Sequence, residues 1–151
     1  MNEAYDAATK YFFECVAQVT DQSLDNRHES GWSARQVIHH MADSETQSYV
    51  RLRRLLAEPE GSVIQGYDEA AWAGCQNLGY ETFDVEPSLA VIAAVRTSTS
   101  KILERLNEDH LKLFGNHTES GLYSLSTWLE IYTRHPREHG YQLLRALQRQ
   151  D

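Results

Sequence analysis

Cysteine is scarce in this chain: Cys15 and Cys75 are the only two in 151 residues, and no CxxC pair occurs. Neither a disulfide framework nor a thiolate zinc site fits that supply. Long apolar runs are missing too. None approaches the ~20 residues of a membrane span, and the opening MNEAYDAATK has no apolar stretch of the signal-peptide kind. These absences lead to the expectation of a cytoplasmic protein without a membrane partner. Positive charge is short as well, with 14 Lys and Arg against 22 Asp and Glu and a formal net charge of −8. A nucleic-acid binder needs a local surplus of basic residues to displace counterions, so no nucleic-acid partner is expected. The one basic cluster, RLRR at 51–54, is expected to be a solvated helix face. With three prolines and eight glycines, and without repeats or low-complexity tracts, the sequence has the composition of an ordinary globular protein. One domain spanning residues 1–151 is expected, long enough to bury a core of its own.

What is present is helical periodicity, in four segments. The first, about 3–20, lines up Tyr5, Ala8, Phe12, Cys15, Val16 and Val19. The second opens at the capping box Ser33-x-x-Gln36 and runs to about Ala57 through Val37, Met41, Leu52, Leu55 and Leu56. The third begins at Pro87, which suits a first helical turn, and reaches about Leu106. The fourth starts near Ser126 or Thr127, the latter forming Thr-x-x-Glu with Glu130, and ends about Gln148. Nothing between these segments reads as a strand. Four amphipathic helices, each with one apolar stripe, predict an all-α four-helix bundle. The connection 58–85 is long for a compact domain and predicts a crossover between helices two and three, which would then run parallel.

Seven histidines are present, and their placement carries the chemistry. On a wheel of 100° per residue, His135 and His139 share the stripe of Trp128, Tyr132, Leu143 and Ala146 and so face the bundle interior. Side chains at i and i+4 are about 5–6 Å apart at Cβ, close enough for two imidazoles to share one metal ion. By itself this pair is more simply read as two partly buried histidines satisfied by hydrogen bonds. A third ligand is available from His39 or His40, which lie on opposite flanks of the second helix's apolar arc. Periodicity does not choose between them, although His40 shares its flank with Asp43, Ser44 and Gln47. His28, His110 and His117 are expected at the surface. Pro136 sits between the two later histidines, where it deletes the hydrogen bond to the Tyr132 carbonyl, a defect of ~3 kcal/mol unless compensated. It also biases His135 away from helical dihedrals. Either the helix kinks there or a new one begins with Pro136 in its first turn.

The stretch GWSARQVIHHMADSE at 31–45 is the most specific feature. It resembles the second-helix signature of the DinB/YfiT-like superfamily of metalloenzymes, and within it the YfiT-like branch. In that signature the histidine eight residues past the Trp is a ligand, which implies His40 here rather than His39. The family's last-helix HxxxH implies His135 and His139 as the other two. Its YDE-x-x-W segment matches Tyr67, Asp68, Glu69 and Trp72. The resemblance covers about residues 30–148. It implies a four-helix bundle, a homodimer, and one divalent metal ion per chain on three histidines. Pro136 stands outside the family's usual last-helix pattern.

Three neutral imidazoles leave a divalent cation its full charge and an open position, the layout of a catalytic rather than a structural site. Such a cation lowers the pKa of a bound water toward ~7 or holds an exogenous thiol as thiolate. The expected activity is therefore that of a metal-dependent hydrolase or of a transferase using a low-molecular-weight thiol as cosubstrate, acting on a small molecule. A metal-stabilised binding or dimerisation module without turnover is the alternative. Imidazole ligation suits zinc and nickel alike. Asp43 is a candidate to orient a ligand ring, and Tyr67, Asp68, Glu69, Trp72 and Tyr132 are candidates to line the pocket. Arg134 and Arg137 flank the last histidines, where an anionic substrate would meet them. No general base is evident beside the ligands.

Overall fold

The computed structural model describes residues 2–29 and 31–148. Four long helices make the bundle: α1 (Asn2–Val16), α2 (Ala34–Ala57), α4 (Glu86–Leu103) and α5 (Leu125–Leu147). A short α3 (Glu69–Gly74) lies in the connection between α2 and α4. The apolar stripes read from the sequence form the core, with Tyr5, Phe12, Val37, Met41, Leu52, Ile92, Leu103, Trp128 and Leu143 buried.

The helix starts follow local chemistry. Ser33 Oγ accepts from the Gln36 amide at 3.2 Å, and Gln36 Oε1 accepts from the Ser33 amide at 2.9 Å, completing the expected capping box. Pro87 stands in the first turn of α4. The start of α5 differs from expectation. Its cap is Ser124, whose hydroxyl accepts from the Thr127 amide at 3.1 Å, so the helix begins before Ser126. The first and third helices are also shorter than their periodicity suggests, ending at Val16 and Leu103. A single 3₁₀ turn over Asp21–Ser23 follows α1.

Contacts along the helices fix their directions. His39 meets Ser88 and Arg53 meets Ser98, so α2 and α4 run parallel. Tyr5 stacks on Trp128 while Cys15 lies near Gly140, so α1 and α5 are parallel as well. Between the pairs the sense is opposite: the Ser48 carbonyl, in the second half of α2, accepts from the Trp128 indole near the start of α5, while His40, in the first half, packs on His139 farther along α5. The connection after α2 is therefore the crossover that the sequence predicts.

The expectation that no strand lies outside the helices is corrected. β1 (Val63–Ile64), β2 (Phe114–His117) and β3 (Gly121–Ser124) form one sheet in the order β1-β2-β3, parallel then antiparallel. These strands are two to four residues long, too short to show a period-two pattern. Gly115 permits the pairing, since a Cβ there would stand 2.6 Å from Ile64 Cγ1 and 2.7 Å from the Ser62 carbonyl oxygen.

Candidate metal centre

Three imidazoles converge between α2 and α5. The ring centroids of His40 lie 4.7 Å from His139 and 5.4 Å from His135, and those of His135 and His139 are 4.2 Å apart. One nitrogen from each ring falls within 4.8 Å of the other two, and this is the only such group of three found among the described residues. Pro136 does not split the pair, because α5 runs continuously from Leu125 to Leu147 with the proline inside it. No new helix starts at the proline. His139 is followed by Gly140, where a Cβ would stand 2.8 Å from the Tyr11 ring. The missing side chain thus lets α1 approach α5 directly beside the histidines.

The hydrogen bonding fixes one tautomer and leaves ring nitrogens with free lone pairs. His139 Nδ1 lies 2.7 Å from Gln142 Oε1. An amide oxygen only accepts, so Nδ1 carries the proton and Nε2 keeps its lone pair. That Nε2 faces His135 Nε2 at 2.9 Å. Two nitrogens at ~2.0–2.1 Å from a tetrahedral zinc ion stand roughly 3.3 Å apart, so a small rotation of the rings admits a cation. His40 Nδ1 and His135 Nδ1 are buried without a hydrogen-bond partner. Orphaned polar atoms of this kind are uncommon in a folded interior and call for an explanation.

Burial decides the protonation of all three rings. Desolvation, followed by the neighbouring His139, pushes the His40 pKa down to about 3. Desolvation first, then His139 and His40, holds His135 well below the ordinary imidazole range. His139 is lowered by burial, with Gln142 and Glu138 acting in the opposite sense. Neutral imidazoles are the form that binds a metal. Trp32 packs edge-on against His40 at 4.9 Å, shielding the ring from water on that side. The centre is a sheltered cluster of three uncharged nitrogen donors.

A cavity of about 220 Å³ opens beside His135, lined by residues including Ser44, Arg51, Tyr67, Glu69, Tyr132 and His117. Three of the candidate pocket residues (Tyr67, Glu69 and Tyr132) therefore reach this wall. Asp68 does not; it caps α3, its carboxylate accepting from the Ala71 amide at 2.9 Å. Trp72 packs on Tyr67, with ring centroids 4.7 Å apart. Asp43 faces away, accepting from the Tyr80 hydroxyl at 2.8 Å and lining a separate cavity with His39. Desolvation raises the Glu69 pKa, with Arg51 opposing and Glu119 assisting. Arg134 and Arg137 are exposed, and Arg134 pairs with Glu138 on the outer face of α5 at 3.1 Å.

Two surface expectations are corrected here. His117 belongs to β2 and lines the cavity rather than open surface. Arg51 is half-buried, donating to the Tyr132 hydroxyl at 3.0 Å and to the Gln65 carbonyl at 2.9 Å. RLRR is thus not uniformly solvated, because its first arginine ties α2 to α5 and to the crossover connection. Gln142 is not among the residues that the sequence singles out, although its position three residues past His139, on the same helical face, is a usable signal.

Comparison with known proteins agrees with this architecture. The profile of the DinB superfamily matches residues 4–143. A protein of Oceanobacillus iheyensis named "Putative metal-dependent hydrolase" is 33% identical over 137 residues, covering 90% of this chain and 77% of the relative. The Bacillus subtilis protein "Putative metal-dependent hydrolase YfiT" is 32% identical over 128 residues, covering 83% of this chain and 70% of its own length. The solved structure of YfiT, described as "a probable metal-dependent hydrolase with an unusual four-helix bundle topology", superposes with a TM-score of 0.84 at 28% identity, over 95% of this chain and 82% of that one. By fold, helix topology and sequence, this chain belongs to the DinB superfamily.

Proposed function

We propose that His40, His135 and His139 hold one divalent metal ion and that the protein is a metal-dependent hydrolase of a small polar substrate. The observation that carries this reading is the convergence of three neutral imidazoles, with ligand-capable nitrogens within 4.8 Å, beside a cavity. The names of the relatives point the same way. When bound, the cation supplies Lewis acidity, toward a water molecule for hydrolysis or toward a low-molecular-weight thiol for S-transfer.

The chain's own groups serve that chemistry in separate ways. Gln142 holds the His139 tautomer and ring angle. Trp32 keeps bulk water from the His40 face. Arg51, Tyr67 and Glu69 furnish a polar wall for the substrate, and Glu69, with its carboxyl pKa raised by desolvation, is placed to take and return a proton there.

Zinc- or nickel-loaded protein purified without an affinity tag should hydrolyse activated esters or amides, and His40→Ala should abolish both metal uptake and turnover. Parallel reactions pairing a small thiol with an electrophilic acceptor test the transfer reading. Full metal occupancy with silence in both assays would leave a metal-stabilised binding module. Elemental analysis showing no bound metal after zinc and nickel addition rejects the site itself.

A further inference from the structure

Pro136 removes the amide proton that a helix would otherwise donate to the carbonyl of Tyr132. That carbonyl is nevertheless satisfied. Arg96 of α4, only 1% exposed, reaches across the bundle and donates Nη1 to Tyr132 O at 2.9 Å. The same guanidinium donates to Glu45 Oε1 at 2.8 Å, to Tyr5 O at 2.9 Å and to Thr9 Oγ1 at 2.6 Å, and it stacks 3.5 Å over the Tyr5 ring. One side chain therefore joins all four long helices. It does so at the carbonyl three residues before His135, with Glu45 five residues beyond His40 on α2. A planar guanidinium with fixed donor directions sets geometry in a way a flexible ammonium cannot.

We propose that Arg96 is a positioning residue for the metal centre, supplying through the Tyr132 carbonyl the hydrogen bond that Pro136 withholds and so fixing His135 and His139 against His40. The inference rests on the metal-site reading of those histidines. Pro136 and Arg96 form one device: the proline frees a carbonyl, and the arginine uses it to lock the ligand-bearing turn of α5 to α2 and α4.

The test is a four-protein cycle of wild type, Arg96→Lys, Pro136→Ala and the double variant. Lysine keeps the positive charge beside Glu45 but loses the fork, while the Pro136→Ala substitution restores an amide donor for the Tyr132 carbonyl. Zinc affinity is measured by chelator competition, and ligand geometry by the visible spectrum of the cobalt-substituted protein. Arg96→Lys should weaken zinc binding by about 10-fold or more, the scale of losing an orienting partner of a metal ligand. It should also shift the cobalt bands. The double variant should regain most of the affinity and the wild-type spectrum. A purely structural role for Arg96 predicts no such rescue, and a double variant as weak as Arg96→Lys overturns the proposal, as does an Arg96→Lys protein that binds like wild type. Should Arg96→Lys not fold, Glu45→Gln, which loosens the guanidinium without removing it, enters the same cycle under the same criteria. If the wild type itself takes up no zinc, the metal reading falls. The coupling is then judged from melting temperatures of the metal-free proteins, where absence of recovery in the double variant overturns it.

Discussion

His39 and His40 are adjacent, both buried, and opposite in circumstance. His39 turns toward α4, with Nδ1 at 2.8 Å from Ser88 Oγ and Nε2 at 3.2 Å from the Phe83 carbonyl, so both nitrogens have partners. His40 turns toward α5, meets two further imidazoles, and keeps a buried Nδ1 with no partner. Burial lowers both pKa values and does not tell them apart. What separates a packing histidine from a ligand candidate is the state of its nitrogens: satisfied in one, held in reserve in the other.

That contrast breaks most visibly by truncation. His40→Ala should remove stoichiometric metal uptake, whereas His39→Ala should retain it; equal metal content in the two, by elemental analysis, would falsify the assignment. Loss of the His139 acceptor through Gln142→Leu should weaken zinc binding by about 10- to 100-fold without abolishing it, as read by chelator competition. His39→Ala should instead act on stability, by about 1–3 kcal/mol in urea denaturation, because it strands the Ser88 hydroxyl and removes a buried ring.

The last effect expected is one of pH. The folded pKa of each of His40, His135 and His139 lies below the ordinary 6.5, so the unfolded chain binds more protons there. Their contribution to the stability of the metal-free protein is therefore present above pH 6.5 and is lost as pH falls, for His40 down to about 3. Replacing His40 with Asn should flatten the slope of stability against pH below 6.5, and denaturation midpoints measured across that range check it.

Much of this fold is legible in the sequence, and the remainder has a physical reason to be hidden. The stripes on α1, α2, α4 and α5 are long enough for periodicity to speak, and the Ser33 capping box marks a helix start within one residue. The length of the 58–85 connection signals the crossover. Strands of two to four residues give no pattern, and the cap at Ser124 loses to the nearby Thr-x-x-Glu, whose spacing also fits a helix start. The inward aim of His135 and His139 follows from the wheel, whereas the choice of His40 over His39 requires the family signature. Arg96 cannot be found from the chain alone. It sits on α4 as the only charge between Glu86 and Lys101, and its partners Glu45, Tyr5, Thr9 and Tyr132 lie 36 to 91 positions away.

The crossover connection also sets where the fold can vary. α2 is 24 residues long, about 36 Å at the rise of an α-helix. Returning that distance along the bundle takes roughly 11 extended residues. The connection has more than twice that, and its surplus builds β1, α3 and the wall carrying Tyr67 and Glu69. The parallel course of α2 and α4 places a floor under the length of this segment while leaving its excess free. Relatives are thus expected to diverge in the composition and size of this surplus, while the span needed to turn the chain back stays fixed.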